Sequence, residues 1–544
     1  MQRAEQVQVV CFHRMQVWVP KIALVNSLRF ADTGSIRRCA SHGAHRFPLP
    51  RTLPERRPPA MDMNLPPLAP TPAPADATQA FQRGLRDLPR EHGFERLHID
   101  GALPPDLHGT LYLNGPGLFS SFGRPYRHWF DGDGAMSAIR FDGDGAHGAV
   151  RIVMTRQLAE ERRAGRMRYT SGATPAPQWH RRIGMRFKNP ANTKPLCWND
   201  RLFALFEAGL PTELDPSTLE TLGETDLDGT IRGHFCAHFH EVPARRAYYN
   251  FSLTRGRRNT LNLYEMPFGG TVRRIGTIAL PKSAAMVHDF IVTENHLVFF
   301  IPPVGIRILP ILAGMKAPLD AIVWRPEEGT TVLVVPIDAP ERHVRFEADA
   351  FFQYHFMNAH ELGHELVVDF VRVGDFGKAF GSHMIETRTQ QTVTEGRLCR
   401  AVVGPQRRQL RIEQLNSTPC EFPQVAPAAQ ARAQRYGYLL ASNPDAPQTA
   451  FARYDFETAR LESVAAGDDC FPGEAVFAPR LAARHADDGY LLSMVYDARS
   501  DRSFIAVLDA GELQRGPIAR CWFDHHVPRP LHGTWRAAEA GSAG

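Results

Sequence analysis

The 544-residue chain contains no Cys-x-x-Cys pair. That excludes a zinc ribbon or a thioredoxin-type motif. Its eight cysteines (Cys11, Cys39, Cys197, Cys236, Cys399, Cys420, Cys470 and Cys521) are scattered, and no secretory signal accompanies them. This usage predicts a reducing, cytoplasmic setting rather than a disulfide scaffold. No stretch of 18 clean apolar residues occurs, so no transmembrane helix is expected. A strong charge excess is missing too. The 63 basic and 58 acidic residues leave a net charge of +5, too mild for a dedicated nucleic-acid binder, and no nucleic-acid partner is expected. A crisp internal repeat is also lacking.

Turn formers are plentiful. Gly and Pro number 43 each, which disfavours long helical bundles, and 43% hydrophobic with 22% charged residues is ordinary globular composition. The N-terminal region stands apart. Residues 1–60 hold ten Arg/Lys against three acids, a composition that suits a transit peptide. The favoured reading is an upstream extension, with translation starting at Met61 or Met63. Residues 65–76, LPPLAPTPAPAD, read as an extended linker. Residues 1–76 are therefore expected to be an extension and linker, and 80–540 a single folded domain.

From about residue 90, short β-type runs alternate with turn signals. GTLYLNG, LFALFE, AYYNFSL, LVFFI, TTVLVV, LVVDFVRV and YLLSMVYD are examples, and Asp-Gly-Asp-Gly recurs at 131–134 and 142–145. Many short strands without intervening amphipathic helices predict an all-β sandwich, barrel or propeller, and the length favours a propeller of four-stranded blades. One segment departs from this. Residues 301–324, IPPVGIRILPILAGMKAPLDAIVW, are strongly apolar, but Pro302, Pro303 and Pro310 forbid a spanning helix. The segment is either an insertion covering the core, or an exposed patch at 301–319, rimmed by Arg307 and Lys316, that dips into a membrane surface.

Among 23 histidines, four stand in distinctive contexts: His238 in FCAHFHEVP, His288 in AMVHDFIVTENH, His355 in FQYHFMNAHE and His532 in RPLHGTWR. Spacing alone does not bring them together. These contexts, with HWFDGDGAMSAIRF (128–141), LFALFEAGLPTELDPSTLETLG (202–223), EFPQ (421–424) and PGEAVF (472–477), resemble the carotenoid cleavage oxygenase family across roughly 85–540. The resemblance implies a seven-bladed β-propeller, capped by loops and short helices, with Fe(2+) on its axis held by His238, His288, His355 and His532. It further implies that Glu207, Glu421 and Glu474 accept the other ring N–H, which fixes tautomer and ring plane. Four neutral imidazoles leave open positions for O2. Two departures are visible. Leu113 stands where the family usually has Arg, and Ser137 where it often has His.

Two readings of other kinds compete. His360-Glu361-Leu362-Gly363-His364 matches the zincin pattern of a metallopeptidase, which needs both His on one helix face. Gly363 and the Val-rich run that follows argue against a helix there, and the oxygenase reading makes 358–365 a turn with His360 and His364 facing solvent. A non-enzymatic propeller scaffold would predict degraded histidine contexts.

The resemblance implies oxidative cleavage of a C=C bond with O2, giving two carbonyl products from a carotenoid or apocarotenoid threaded through an apolar tunnel. Stilbene-cleaving relatives are the alternative, and isomerase members exist. Stilbene cleavers typically carry Lys where this chain has Phe206, and an apolar residue there does not stabilise a phenolate. Phe206 is thus the candidate tunnel residue, favouring a hydrophobic polyene.

Overall fold

The computed structural model describes residues 77–538, apart from 144, 184–185, 257, 282–283, 375, 377–395 and 443–448. The predicted extension and linker lie outside the described residues. Among those residues the α-helices are short: Ala77–Arg83, Arg156–Ala164, Trp179–Arg182 and Ile308–Leu312. Among the described residues no helix is long and apolar enough to cross a membrane.

Seven antiparallel sheets succeed one another along the chain as propeller blades. Blade 1 holds His92–Arg96, His108–Leu118, Asp133–Asp142 and Ala146–Ile152. Blade 2 spans Lys194–Trp198 to Thr221–Glu224, blade 3 His234–Phe235 to Arg273–Ala279, and blade 4 Ile291–Val292 to Val344–Ala348. Blades 5 and 6 share one long strand, Gln409–Gln424, which pairs first with Arg397–Gly404 and then with Tyr436–Ser442. Blade 7 runs from Cys470–Pro472 to Pro517–Trp522.

The chain ends interlock. The last strand, His532–Ala537, pairs with His108–Leu118 in blade 1, and the early strand His98–Gly101 pairs with Pro517–Trp522 in blade 7. Gly533 permits the close approach this needs, because a Cβ there would stand 2.5 Å from Val476 Cγ2 and 2.6 Å from Leu113 Cδ2.

The sequence pattern follows each strand's place in its blade. Blades stack face to face, so a middle strand is covered on both sides and reads as a continuous apolar run. His296–Ile301 (HLVFFI) and Thr330–Pro336 (TTVLVVP) are of this kind and are almost wholly buried. Outer strands such as Val344–Ala348 (VRFEA) meet water and are half-polar. The two departures at 113 and 137 are one. Leu113 and Ser137 are buried cross-strand partners in blade 1, so a single packing position differs from the family pattern.

The apolar segment at 301–324 forms a cover whose outer face leaves apolar residues exposed. It forms strand Val304–Ile306, helix Ile308–Leu312 and strand Ile322–Trp324, which pairs back on the first. Its inner face covers a cavity, while Ile308, Leu309 and Met315 remain exposed. The expectation of a turn over 358–365 needs correcting. Strand Phe352–Leu362 continues through it, and only Gly363 and His364 make the hairpin turn to Glu365–Val373. Asn358 explains the continuation, since its buried amide donates to Ala429 O, Arg432 O and Gln434 Oε1. His360 is consequently half-buried, whereas His364 is exposed. Neither lies on a helix, so the zincin geometry is absent.

A buried ionic cluster ties blade 1 to the cavity floor. Lys188 Nζ lies 2.8 Å from Asp133 Oδ2, 2.7 Å from Glu161 Oε2 and 2.9 Å from Tyr126 OH, with all three charged side chains essentially inaccessible. One cation faces two acids, and burial drives the Asp133 carboxyl above its usual range against the pull of Lys188. Lys188→Met leaves these acids unpaired and should destabilise the domain by about 3–5 kcal/mol, read as a lower urea midpoint. Adding Asp133→Asn and Glu161→Gln should recover most of the loss. An unchanged midpoint in the single variant would refute the cluster's role.

Candidate metal centre and cavity

Each of the seven blades delivers one of the residues singled out from the sequence. Blade 2 supplies Glu207, just past strand Arg201–Leu205, and blade 3 supplies His238, between His234–Phe235 and His240–Val242. His288 leads into blade 4, His355 lies in Phe352–Leu362 of blade 5, and Glu421 lies where the long strand enters blade 6. Glu474 sits in the gap between Cys470–Pro472 and Val476–Pro479 of blade 7, and His532 opens the strand that completes blade 1.

Irregularity in the strands aims these side chains. In a regular strand Glu421 and Phe422 would point to opposite faces. The register shifts between Glu421 and Gln424, and Phe422 takes a φ of 55°. The Glu421 carboxylate and the Phe422 ring thereby both reach His355. His355 itself sits where the register shifts between Gln353 and Phe356. Bulges of this kind re-aim side chains next to functional sites.

The four imidazoles cluster. Ring centroids of His238 stand 4.7 Å from His288, 5.0 Å from His355 and 4.9 Å from His532, and those of His355 and His532 are 4.8 Å apart. The donor atoms of His238, His288 and His355 lie within 4.8 Å of one another, a group able to hold a metal ion. His532 packs edge-on against two of these rings.

Carboxylates stand behind three of the rings. His355 Nδ1 is 2.7 Å from Glu421 Oε2, and His532 Nδ1 is 3.0 Å from Glu474 Oε1. His288 Nδ1 lies 2.6 Å from Glu207 Oε1, close enough for an ion pair though poorly aligned for a hydrogen bond. Glu474 also accepts from Gln424 Nε2 at 2.7 Å and from Gly533 N at 2.8 Å. Although burial opposes it, the His532 imidazole holds the Glu474 carboxyl below its usual range. At His355 burial acts downward, but the Glu421 carboxylate outweighs it and raises the ring's pKa. At His238 burial, reinforced by the other imidazoles, pushes it well below the usual value, so that ring is neutral.

This arrangement suits a metal. Where Nδ1–H is committed to a carboxylate, as at His355 and His532, the neutral ring's Nε2 carries a lone pair. The Nε2 atoms of His288 and His355 face each other at 3.4 Å. His238 Nε2 is buried with no protein partner. Inward lone pairs on neutral imidazoles are the donor set for a late first-row divalent ion.

Beside the histidines lies a cavity of about 590 Å³, within the range of small-molecule sites. His288, His355 and His532 open onto it, and its walls include Phe206, Phe251, Leu253, Ile306 and Ile311. Of its lining residues, Lys188 and Arg255 lie outside the sequence motifs, and Phe422 lies within EFPQ beside Glu421. A second, smaller and more polar pocket, lined by Lys194, Glu241 and Asp289, reaches His238, His355 and His532.

Residues 85–537 match the family described as "Retinal pigment epithelial membrane protein". The chain is 34% identical over 472 residues to apocarotenoid-15,15'-oxygenase of Synechocystis, covering 84% of this chain and 96% of that protein. It is 27% identical over 477 residues to lignostilbene-alpha,beta-dioxygenase isozyme III of Sphingomonas paucimobilis, covering 84% and 96%. It is also 27% identical over 462 residues to isoeugenol monooxygenase of Pseudomonas putida, covering 81% and 94%. The crystal structure of cobalt-substituted Synechocystis ACO superposes with a TM-score of 0.79 at 32% identity, covering 85% of this chain and 99% of that one.

Glu421→Gln should weaken divalent-metal affinity by about 10- to 100-fold, the usual effect of losing a partner behind a metal-bound His. Metal titration of stripped protein would measure it. Affinity equal to the parent's would mean that Glu421 does not hold His355 for a metal.

Proposed function

The chain belongs to the retinal pigment epithelial membrane protein family, the carotenoid cleavage oxygenases, and from that premise we propose a non-haem Fe(II) dioxygenase that cleaves one C=C bond of a carotenoid or apocarotenoid. The observation that carries this reading is the convergence of four imidazoles, three backed by carboxylates, at one end of an apolar cavity. His238, His288, His355 and His532 would hold the iron. The metal would supply the binding and activation of O2, and both oxygen atoms would end in the two carbonyl products.

The protein's own contribution is positional. Glu207, Glu421 and Glu474 fix the tautomers and planes of His288, His355 and His532. Phe422 stacks on His355 at a centroid distance of 5.6 Å and restrains it further. The apolar walls bind the chain, and the position of the chain in the cavity selects the bond that meets the histidines. Phe206 lines the cavity. An aromatic hydrocarbon there suits a polyene and gives a hydroxystilbene no partner for its phenol oxygen.

Purified Fe(II)-loaded protein, incubated under 18O2 with an apocarotenal, a carotenoid and a hydroxystilbene, tests this by mass spectrometry after rapid borohydride trapping. Label in both products of a polyene is expected, and none without oxygen. Cleavage of the stilbene alone would replace the substrate assignment. Label in one product only would make the enzyme a monooxygenase.

Peripheral membrane contact fits the same reading, because such polyenes dissolve in lipid. The exposed faces of Ile308, Leu309 and Met315 lie on the segment that covers the cavity, with Arg307 and Lys316 exposed beside them. A second element extends the patch: Ile183 packs beside Gly314, at the end of a helical turn that exposes Trp179. An aromatic and aliphatic surface with basic neighbours is built for a bilayer interface. Trp179→Ser with Leu309→Ser and Met315→Ser should abolish sedimentation with phosphatidylcholine vesicles containing anionic lipid. Undiminished sedimentation would remove this contact from the proposal.

A further inference from the structure

A cation on the wall of an apolar cavity costs desolvation energy unless an anion meets it. Two cationic residues line this cavity, Lys188 and Arg255. Lys188 is committed to Asp133, Glu161 and Tyr126. Arg255 follows strand Ala247–Thr254, and its Nη2 donates to Ala285 O at 3.1 Å. Among the described residues it has no carboxylate within ion-pair distance. The acid whose charge it senses is Glu207, which stands against His288. Protein atoms surround the guanidinium closely enough to lower its pKa, while the residue as a whole is exposed. Arg255 therefore stands where the cavity wall meets solvent. Neighbouring His234 is lowered by burial and then by the charge of Arg255, so it stays neutral and does not compete for an anion.

We propose that Arg255 is a subsite for a carboxylate at the end of the polyene, so that the preferred substrate is an acid-terminated chain rather than a hydrocarbon. This deepens the oxygenase reading and rests on it. A guanidinium presents five N–H donors in a planar fork that a carboxylate meets with two parallel hydrogen bonds. One nitrogen is engaged by Ala285 O, which orients the fork and leaves the remaining donors for the ligand. Anchoring one end also sets how far the chain reaches, and therefore which double bond lies at the histidines.

The test uses three polyenes of equal chain length, ending in a carboxylate, a primary alcohol or a methyl group, on the full-length iron-loaded enzyme. Arg255→Met should raise KM for the acid by about 10- to 100-fold, the weight of a charge-assisted hydrogen-bonded pair, and leave the methyl-terminated chain within about twofold. Arg255→Lys should fall between and shift the cleavage position on the acid. Quenching of tryptophan fluorescence on binding to the metal-free protein should follow the same order. Equal effects on all three chains, or no preference for the acid in the parent enzyme, would overturn the proposal. So would loss of bound iron in Arg255→Met, which would make the residue a support for Glu207 instead. Absence of cleavage of any polyene would count against the oxygenase reading, while the binding order would still test the subsite.

Discussion

A carboxylate set against the Nδ1 of an imidazole decides which way the other nitrogen's lone pair looks, and the centre of this molecule is built on that contact. Two such hydrogen-bonded pairs, at His355 and His532, aim Nε2 inward, and the Glu207 carboxylate lies close behind His288. The Nε2 atoms of His288 and His355 lie 3.4 Å apart, where a proton on either ring would bridge them. A divalent ion and that proton therefore compete for the same place between the rings. Seven blades contributing one residue each is an efficient way to hold this arrangement, since every side chain enters from a separately packed sheet.

Much of this was legible in the sequence, and for identifiable reasons. Middle strands such as HLVFFI and TTVLVVP announce themselves because burial on both faces removes polar residues from them. The four His and three Glu were legible through their surrounding motifs, and the structure gathers all seven around one point. Backbone irregularity was not legible. Strand alternation gives no hint that Glu421 and Phe422 share a face, because that depends on a bulge and a left-handed φ at Phe422. The strand through Asn358 was also hidden, since it is anchored by a side-chain amide to carbonyls some seventy residues away. The zincin-like motif at 360–364 shows the converse: three matching residues in the right spacing carry no zincin chemistry when the backbone beneath them is a hairpin.

The cavity shows how one segment serves two surroundings. Around Ile308–Leu312 the buried Ile311 faces the cavity while Leu309 stays outside. The interruptions by proline that forbid a spanning helix are what let this segment fold back as a short cover. Lys188 and Arg255 have opposite relations to the same cavity: the first is buried and paired with two acids in the wall, the second is exposed and donates to a backbone carbonyl.

The strand His532–Ala537 lies almost at the end of the chain, yet it belongs to blade 1 and carries one of the four clustered imidazoles. During synthesis the earlier blades emerge first and domains tend to form from the N-terminus. The histidine cluster nevertheless stays incomplete until His532–Ala537 has emerged. Completion of the sheet that joins the two ends and completion of the cluster are thus a single late event. A chain that lacks His532–Ala537 has neither the strand that completes blade 1 nor the fourth imidazole, so a partly made chain carries no finished centre.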